Sequence, residues 1–309
     1  MTQHPPGKWL PSYLLLALLW GSAFAFIKLA LESFTPIGVG FSRMVLGLGA
    51  LALASAITRT RFPPRALWFR IAVTALLASS IPWSLIAFAE THISSALTSI
   101  IGSAIPLTTL VIILVFFREE RPTAQRIAGL LVGFSGILIV IGVWKGMGVT
   151  TLVGVAACFV ANTAFAFSLP YARRHLTGGA GASNLPPLSL ATGLFTFAAI
   201  ETLPFALFGG ILDSPLVLPS LIGIVALGCL SSGLAYFLNF RIINWTDATT
   251  ASTVTYLIPL VAVIIGMIFL GEEVTWNQPV GGLVILAGAA LAQGLVTLPS
   301  RRRAAIAEE

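Results

Sequence analysis

The chain has 309 residues, is 57% hydrophobic and only 9% charged, and has a mean hydropathy of +0.97 with a net charge of +6. Soluble domains carry roughly 25% charged residues, so most of this length belongs inside lipid. Its two cysteines, Cys158 and Cys229, both lie in apolar runs, which excludes a disulfide framework and a thiolate metal cluster.

A membrane-crossing helix needs about 20 mostly apolar residues. Ten such runs follow one another: 11–31, 36–57, 68–89, 92–117, 123–143, 150–172, 186–209, 217–240, 246–270 and 276–298. The first has a basic flank at Lys8, like a signal peptide. Its apolar run is too long and no A-x-A site follows, so it reads as a retained helix. Breakers separate most runs: Thr35-Pro36, Phe62-Pro63-Pro64, Arg121-Pro122, Gly146 to Gly148, Gly178 to Gly181, and Asp213 to Pro215. The third and fourth runs turn around within Glu90-Thr91-His92. The longest loop, around Arg173 to Leu185, is too short to bury a soluble core.

Lysine and arginine placement predicts orientation. With the N-terminus cytoplasmic, that side holds Lys8, Arg59, Arg61, Arg65, Arg70, Arg118, Arg121, Arg126, Arg173, Arg174, Arg241 and Arg301 to Arg303, fourteen cations. Lys145 alone faces the other side, while Lys28 and Arg43 fall within spans. Both termini are therefore expected in the cytoplasm, with the protein in the inner (cytoplasmic) membrane.

Residues 81–142 read as a diverged copy of 234–294, displaced by 153 positions. Pro106 falls on Pro259, Glu119-Glu120 on Glu272-Glu273, and Gly129 on Gly282. Ser79 falls on Ser232, Trp83 on Tyr236, Ser99 on Ser252 and Ser103 on Tyr256. In the earlier helices the offset is 141, matching Ala23-Phe24-Ala25-Phe26 to Ala164-Phe165-Ala166-Phe167. The displacement spans an odd number of crossings, so the second copy must be upside down. The expected fold is an all-α integral membrane protein of ten transmembrane helices in two inverted five-helix repeats, residues 1–148 and 149–309. Inverted repeats are an architecture of transporters, which need two near-equivalent states open to opposite sides.

These residues carry a resemblance to EamA-type carriers of the drug/metabolite transporter superfamily: Trp20-Gly21-Ser22-Ala23-Phe24, Arg43, and the Pro…Glu…Gly signature twice, at Pro106, Glu119 and Gly129 and at Pro259, Glu272 and Gly282. The resemblance runs from Trp9 to Pro299 and is strongest to bacterial amino-acid exporters, whose substrates include aromatic ones. Arg118 departs from it, standing where Gly271 stands in the second copy.

Such carriers hold substrate near the midplane, where helices are broken. Pro106 and Pro259 lie near the centres of their spans, and a mid-helix proline kinks the helix and frees a carbonyl. Polar residues form stripes beside them: Ser95, Ser99 and Ser103 in one, Thr249, Ser252, Thr253 and Tyr256 in the other. Cavity lining and plain helix packing are both open for these stripes. Trp20, Phe24, Trp83, Asn162, Phe165, Ser232, Tyr236 and Asn239 would complete an amphipathic cavity. Trp9, Trp68, Trp144, Trp245 and Trp276 suit an interfacial belt instead.

Intramembrane charge is a functional suspect. Arg43 could hold a substrate carboxylate or pair with Glu201. Lys28 is expected to snorkel to the interface. Glu90 and His92 are candidate gate rims, with plain solvation the commoner reading for such a hairpin. Glu119 and Glu272 are expected to offset the dipoles of the fifth and tenth helices.

The expected function is secondary export of small amphipathic metabolites, amino acids including aromatic ones, by alternating access; export of other metabolites or drugs is the alternative. No mid-membrane carboxylate pair decides between proton coupling and facilitated flux. His4, His92 and His175 are scattered, and H-E-x-x-H, G-x-S-x-G and the phosphate loop are missing, so neither an enzyme, a cofactor, a metal site nor nucleic-acid binding is expected. The partners expected are a small-molecule substrate and the bilayer, with monomer and dimer both open.

Overall fold

The computed structural model describes residues 6–112, 115–116, 123–142, 144, 148–177, 185–245 and 253–292. Arg118, Glu119, Lys145, Thr249, Ser252 and Arg301 to Arg303 lie outside the described residues. The described chain is helical, with one isolated antiparallel bridge from Phe34 to Leu212. Among the described residues, eight helices are long and apolar enough to cross a membrane: α1 (Pro6–Ala30), α2 (Pro36–Thr58), α3 (Arg65–Glu90), α4 (Ser95–Ile112), α5 (Ala124–Ile141), α6 (Val149–Leu176), α7 (Pro187–Gly209) and α8 (Leu218–Asn239). Two shorter apolar helices follow, α9 (Ile258–Phe269) and α10 (Asn277–Ala292).

Helix boundaries follow local chemistry. The Thr35 hydroxyl accepts from the Gly38 N–H at 2.9 Å, and Pro36 occupies the first turn of α2, where its missing N–H costs nothing. Ser94 and Thr123 cap α4 and α5 in the same way. Gly142, at φ 68°, closes α5 in the left-handed conformation that lets its N–H reach back to Leu138 and Ile139.

Several helices are irregular where polar residues cluster. Leu76–Ser80 in α3 and Ala226–Leu234 in α8 are π-helical. Such widening recurs at functional sites. α4 is interrupted by a turn at Ser103 and Ala104, with Pro106 in the first turn of its second piece. A 3-10 turn, Thr253–Tyr256, precedes α9, with Pro259 likewise in its first turn. In each case the ring cannot donate to the preceding turn, so the helix restarts.

Packing joins early helices to late ones. α5 and α10 run antiparallel at close range, because glycines line both faces. A Cβ on Gly129 would lie 2.5 Å from the Ala292 nitrogen, and one on Gly136 would lie 2.6 Å from the Ile285 nitrogen. Small residues let backbones approach this way in lipid. Amides close the seam at both ends: Asn277 Nδ2 donates to Val140 O at 2.9 Å, and Gln125 Nε2 to Leu291 O at 3.0 Å. α2 runs antiparallel to α7, with Ser55 and Thr192 hydroxyls 2.9 Å apart near one end and Thr35 Oγ donating to Gly210 O at 2.7 Å at the other. α1 packs on α8 and α9; α6 packs on α3 and α4. Phe208, Val149 and Phe69 are 93%, 79% and 77% exposed, as acyl-chain contacts would be.

Substituting Gly136→Leu should force α5 from α10, costing on the order of 1–3 kcal/mol from overpacking. A clear fall in melting temperature in detergent is expected, whereas Gly49→Ala, where an added Cβ meets nothing within 4 Å, should melt at or above the unaltered protein.

Candidate functional site

Arg43 lies in α2 and is only 1% exposed, making it the largest fully buried side chain among the described residues. Its guanidinium carbon sits 3.6 Å above the Trp83 ring, and Nε donates to Ser232 Oγ at 2.8 Å. That hydroxyl donates onward to Leu227 O at 3.0 Å, a five-residue reach made possible by the π-helical stretch of α8. Nη1 and Nη2 have no hydrogen-bond partner among the described residues. An ion held in a low-dielectric interior loses several kcal/mol of hydration, and a cation over an indole face recovers only part of it.

Two glycines of α2 create the space. A Cβ on Gly40 would sit 2.6 Å from Ser84 Oγ, and one on Gly47 would sit 2.7 Å from the Phe195 ring and 3.1 Å from Ser232 Cβ. α3 and α8 therefore approach closely on either side of the arginine. Tyr236, one turn beyond Ser232, lies beside Arg43, Ser79 and Trp83. Its ring meets Trp20 edge-on at 6.1 Å and Phe195 at 5.1 Å. Phe24 packs with Trp83 in the adjoining core.

Glu90 ends α3, on the same face as Trp83 and two turns further on. It is 0% exposed, and neither carboxylate oxygen has a hydrogen-bond partner among the described residues. Lys28, Arg43 and Glu272 lie within electrostatic reach. The expected solvated hairpin is thus corrected at Glu90 alone, while Thr91 stays exposed and His92 half-buried. Gly154 of α6 is the reason: a Cβ there would lie 2.9 Å from His92 Cβ and 3.3 Å from Ala89 O, so α6 closes over the turn. Lys28 is half-exposed, and its Nζ donates to Glu90 O at 2.7 Å. The Arg43–Glu201 pairing is not made; Glu201 accepts from Ser80 Oγ at 2.6 Å.

Other expected site residues scatter. Ser99 and Ser103 donate to carbonyls of their own helix, Ala96 O at 2.8 Å and Ile100 O at 2.6 Å. Asn162 Nδ2 donates to Ile101 O at 2.9 Å, tying α6 to α4 beside the break. Tyr256 packs against the core formed by α4, α5, α6 and α10. Phe165 and Asn239 are half-buried, and His92 Nδ1 stays with Thr91 Oγ at 2.8 Å and Phe88 O at 3.1 Å. Pro259 is buried and Pro106 half-buried.

Glu272 caps a different helix from the one expected. Its carboxylate accepts from Ser95 N at 2.8 Å, Ser95 Oγ at 3.0 Å and Ala96 N at 3.0 Å, the first turn of α4 rather than of α10. Gly271, at φ 63°, turns the chain for this reach. Phe195 was invisible to sequence reasoning, being one phenylalanine among 20 in an apolar run. Only its contact with Gly47 and Tyr236 distinguishes it.

Crossing-length helices packed around a buried polar and aromatic cluster define a polytopic membrane transport protein. The chain belongs to the EamA-like transporter family, whose profile matches residues 7–142 and again 152–293. It is 24% identical to an uncharacterized transporter of Archaeoglobus fulgidus over 91% of this chain and 96% of that one. It is 28% identical to a probable terminal-alkyne amino-acid exporter of Streptantibioticus cattleyicolor, over 94% of each. A solved crystal structure shares the fold with a TM-score of 0.62 at 17% identity, covering 94% of this chain and 99% of the other.

Replacing Arg43 by methionine, of similar reach and no charge, should leave the melting temperature in detergent unchanged or raised. An unsatisfied buried charge weighs against folding, so a marked fall would mean that the arginine stabilises the bundle.

Proposed function

We propose that the protein is a secondary carrier that exports small amphipathic metabolites, amino acids including aromatic ones, across the cytoplasmic membrane by alternating access. One observation carries the reading. Trp83 and Tyr236, and likewise Ser79 and Ser232, correspond at the 153-residue offset; Trp83, Ser232 and Tyr236 gather beside the buried Arg43, and Ser79 meets Tyr236. A binding point on the axis relating two halves suits a carrier whose halves rock about it.

Ten helices in two inverted five-helix units, 1–148 and 149–309, are part of this reading. Its support is the pairing of equivalent helices. α2 meets α7 and α5 meets α10, in both cases antiparallel. Two copies facing the same way would bring equivalent helices together parallel. The other contacts come in exchanged pairs, α1–α8 with α3–α6 and α1–α9 with α4–α6. The double family match, to residues 7–142 and 152–293, divides the chain at a similar point.

Fourteen of the cations on one side, against Lys145 on the other, favour cytoplasmic termini. In that orientation Glu90, Glu272 and the contact of residues 33–35 with 210–217 lie at the outer end. The substrate class draws on the aromatic surround of Arg43 and on the Streptantibioticus relative named as an amino-acid exporter.

Purified protein in liposomes should move radiolabelled phenylalanine, methionine or threonine faster than empty vesicles. Trp83→Ala and Tyr236→Ala should each slow phenylalanine flux several-fold at unchanged protein content. Folded protein that moves no member of a broad amino-acid panel would remove the substrate reading. A cysteine at Asp213 should react with an impermeant maleimide from outside intact cells; protection there would reverse the orientation.

A further inference from the structure

The site holds two buried ionisable groups of opposite type, an arginine and a glutamate, each with unused hydrogen-bonding capacity. Arg43 presents Nη1 and Nη2 without partners, and Glu90 presents Oε1 and Oε2 without partners. They sense each other electrostatically, yet no direct ion pair joins them among the described residues. Their neighbours are already engaged. Lys28 Nζ is bound to Glu90 O, Glu272 to the first turn of α4, and Glu201 to Ser80. The remaining side of Arg43 is fixed by Trp83 and Ser232, so its unpaired nitrogens are held in place.

We propose that Arg43 and Glu90 form a clasp for a zwitterion: the guanidinium fork takes the α-carboxylate of an amino acid, and the Glu90 carboxylate takes its α-ammonium. This deepens the amino-acid carrier reading and rests on it. The fork suits a carboxylate, which it can bind with two parallel hydrogen bonds. Trp83 and Glu90 stand two turns apart on one face of α3, about 10 Å along its axis. Side chains on a helix lean toward its N-terminus, which brings the Glu90 carboxylate back toward Trp83. Both groups are closed off in this packing, so a small dipolar molecule would enter between them as the helices part, bridged by charge-assisted hydrogen bonds of ~2.8 Å at each end.

Charge logic selects the class. A simple anion would satisfy Arg43 and face repulsion from Glu90. An amine would do the reverse, meeting Arg43 and the nearby Lys28 ammonium, and a neutral apolar compound would give Arg43 and Glu90 no new partner. A zwitterion neutralises both, while its side chain rests on Trp83, Tyr236 and Trp20. Removing one partner from a buried charge costs more than the hydrogen bond itself is worth, so either half of the ligand should be needed.

The test is phenylalanine counterflow in proteoliposomes, with competition by 3-phenylpropionate, which lacks the ammonium, and 2-phenylethylamine, which lacks the carboxylate. On the unaltered protein each analogue should compete at least about tenfold more weakly than phenylalanine. Glu90→Gln should erase most of the discrimination against 3-phenylpropionate. Arg43→Gln should erase most of the discrimination against 2-phenylethylamine. Phenylalanine flux with both analogues competing as well as phenylalanine would overturn the clasp and leave the carrier reading standing, as would variants that keep both ratios. Absence of any amino-acid flux would overturn the two readings together. Should a variant fail to fold, the competition ratios of the unaltered protein decide.

Discussion

Keeping one guanidinium inside an apolar bundle is the constraint around which the centre is arranged. Arg43 reaches its place only because Gly40 and Gly47 let α3, α7 and α8 close on α2. Its partners come from two distant helices, an indole face from α3 and a hydroxyl from α8. The π-helical stretches of α3 and α8 aim that surround inward, and each contains one of the corresponding serines, Ser79 and Ser232. Such an arrangement forgoes stability, since an apolar residue would avoid the hydration cost of the charge. Retaining it makes sense where charge is needed at the centre.

A second set of contacts closes the end of the bundle at which α3 gives way to α4. The Glu272 carboxylate binds the first turn of α4, where free N–H groups and the helix dipole favour an anion. Ser33 and Thr35 bond to the 210–217 segment, with Asp213 N donating to Ser33 O at 2.9 Å. Asn277 meets the last carbonyls of α5. Every one of these joins residues from the first match of the family profile to residues from the second. Each bond is worth little alone. A rocking motion that opened this end would exchange them for water, which hydrates carboxylate and backbone equally well.

The bundle's character was legible in the chain. Apolar runs marked the eight crossing-length helices to within about five residues, because lipid demands that every backbone group bond within its own segment. The 153-residue period was equally plain, in Pro106 with Pro259 and Trp83 with Tyr236. Of the site, Arg43 stood out as a charge where charge is costly, and Trp83, Ser232 and Tyr236 stood on the inward face. Ser99, Ser103 and Asn162 shared the same signature, yet they bond to helix carbonyls. A hydroxyl stripe serves packing and cavity alike, so periodicity cannot separate the two uses.

What the residues alone determined is therefore a membrane protein of many apolar helices with an arginine inside one of them. Only the tertiary structure decided that Glu90 is buried, that Lys28 turns to its carbonyl, and that Glu272 caps α4 rather than α10. The physical reason is reach. Hydropathy and helical spacing are properties of one segment, whereas the burial of a hairpin carboxylate depends on Gly154, 64 positions away, allowing another helix to close over it.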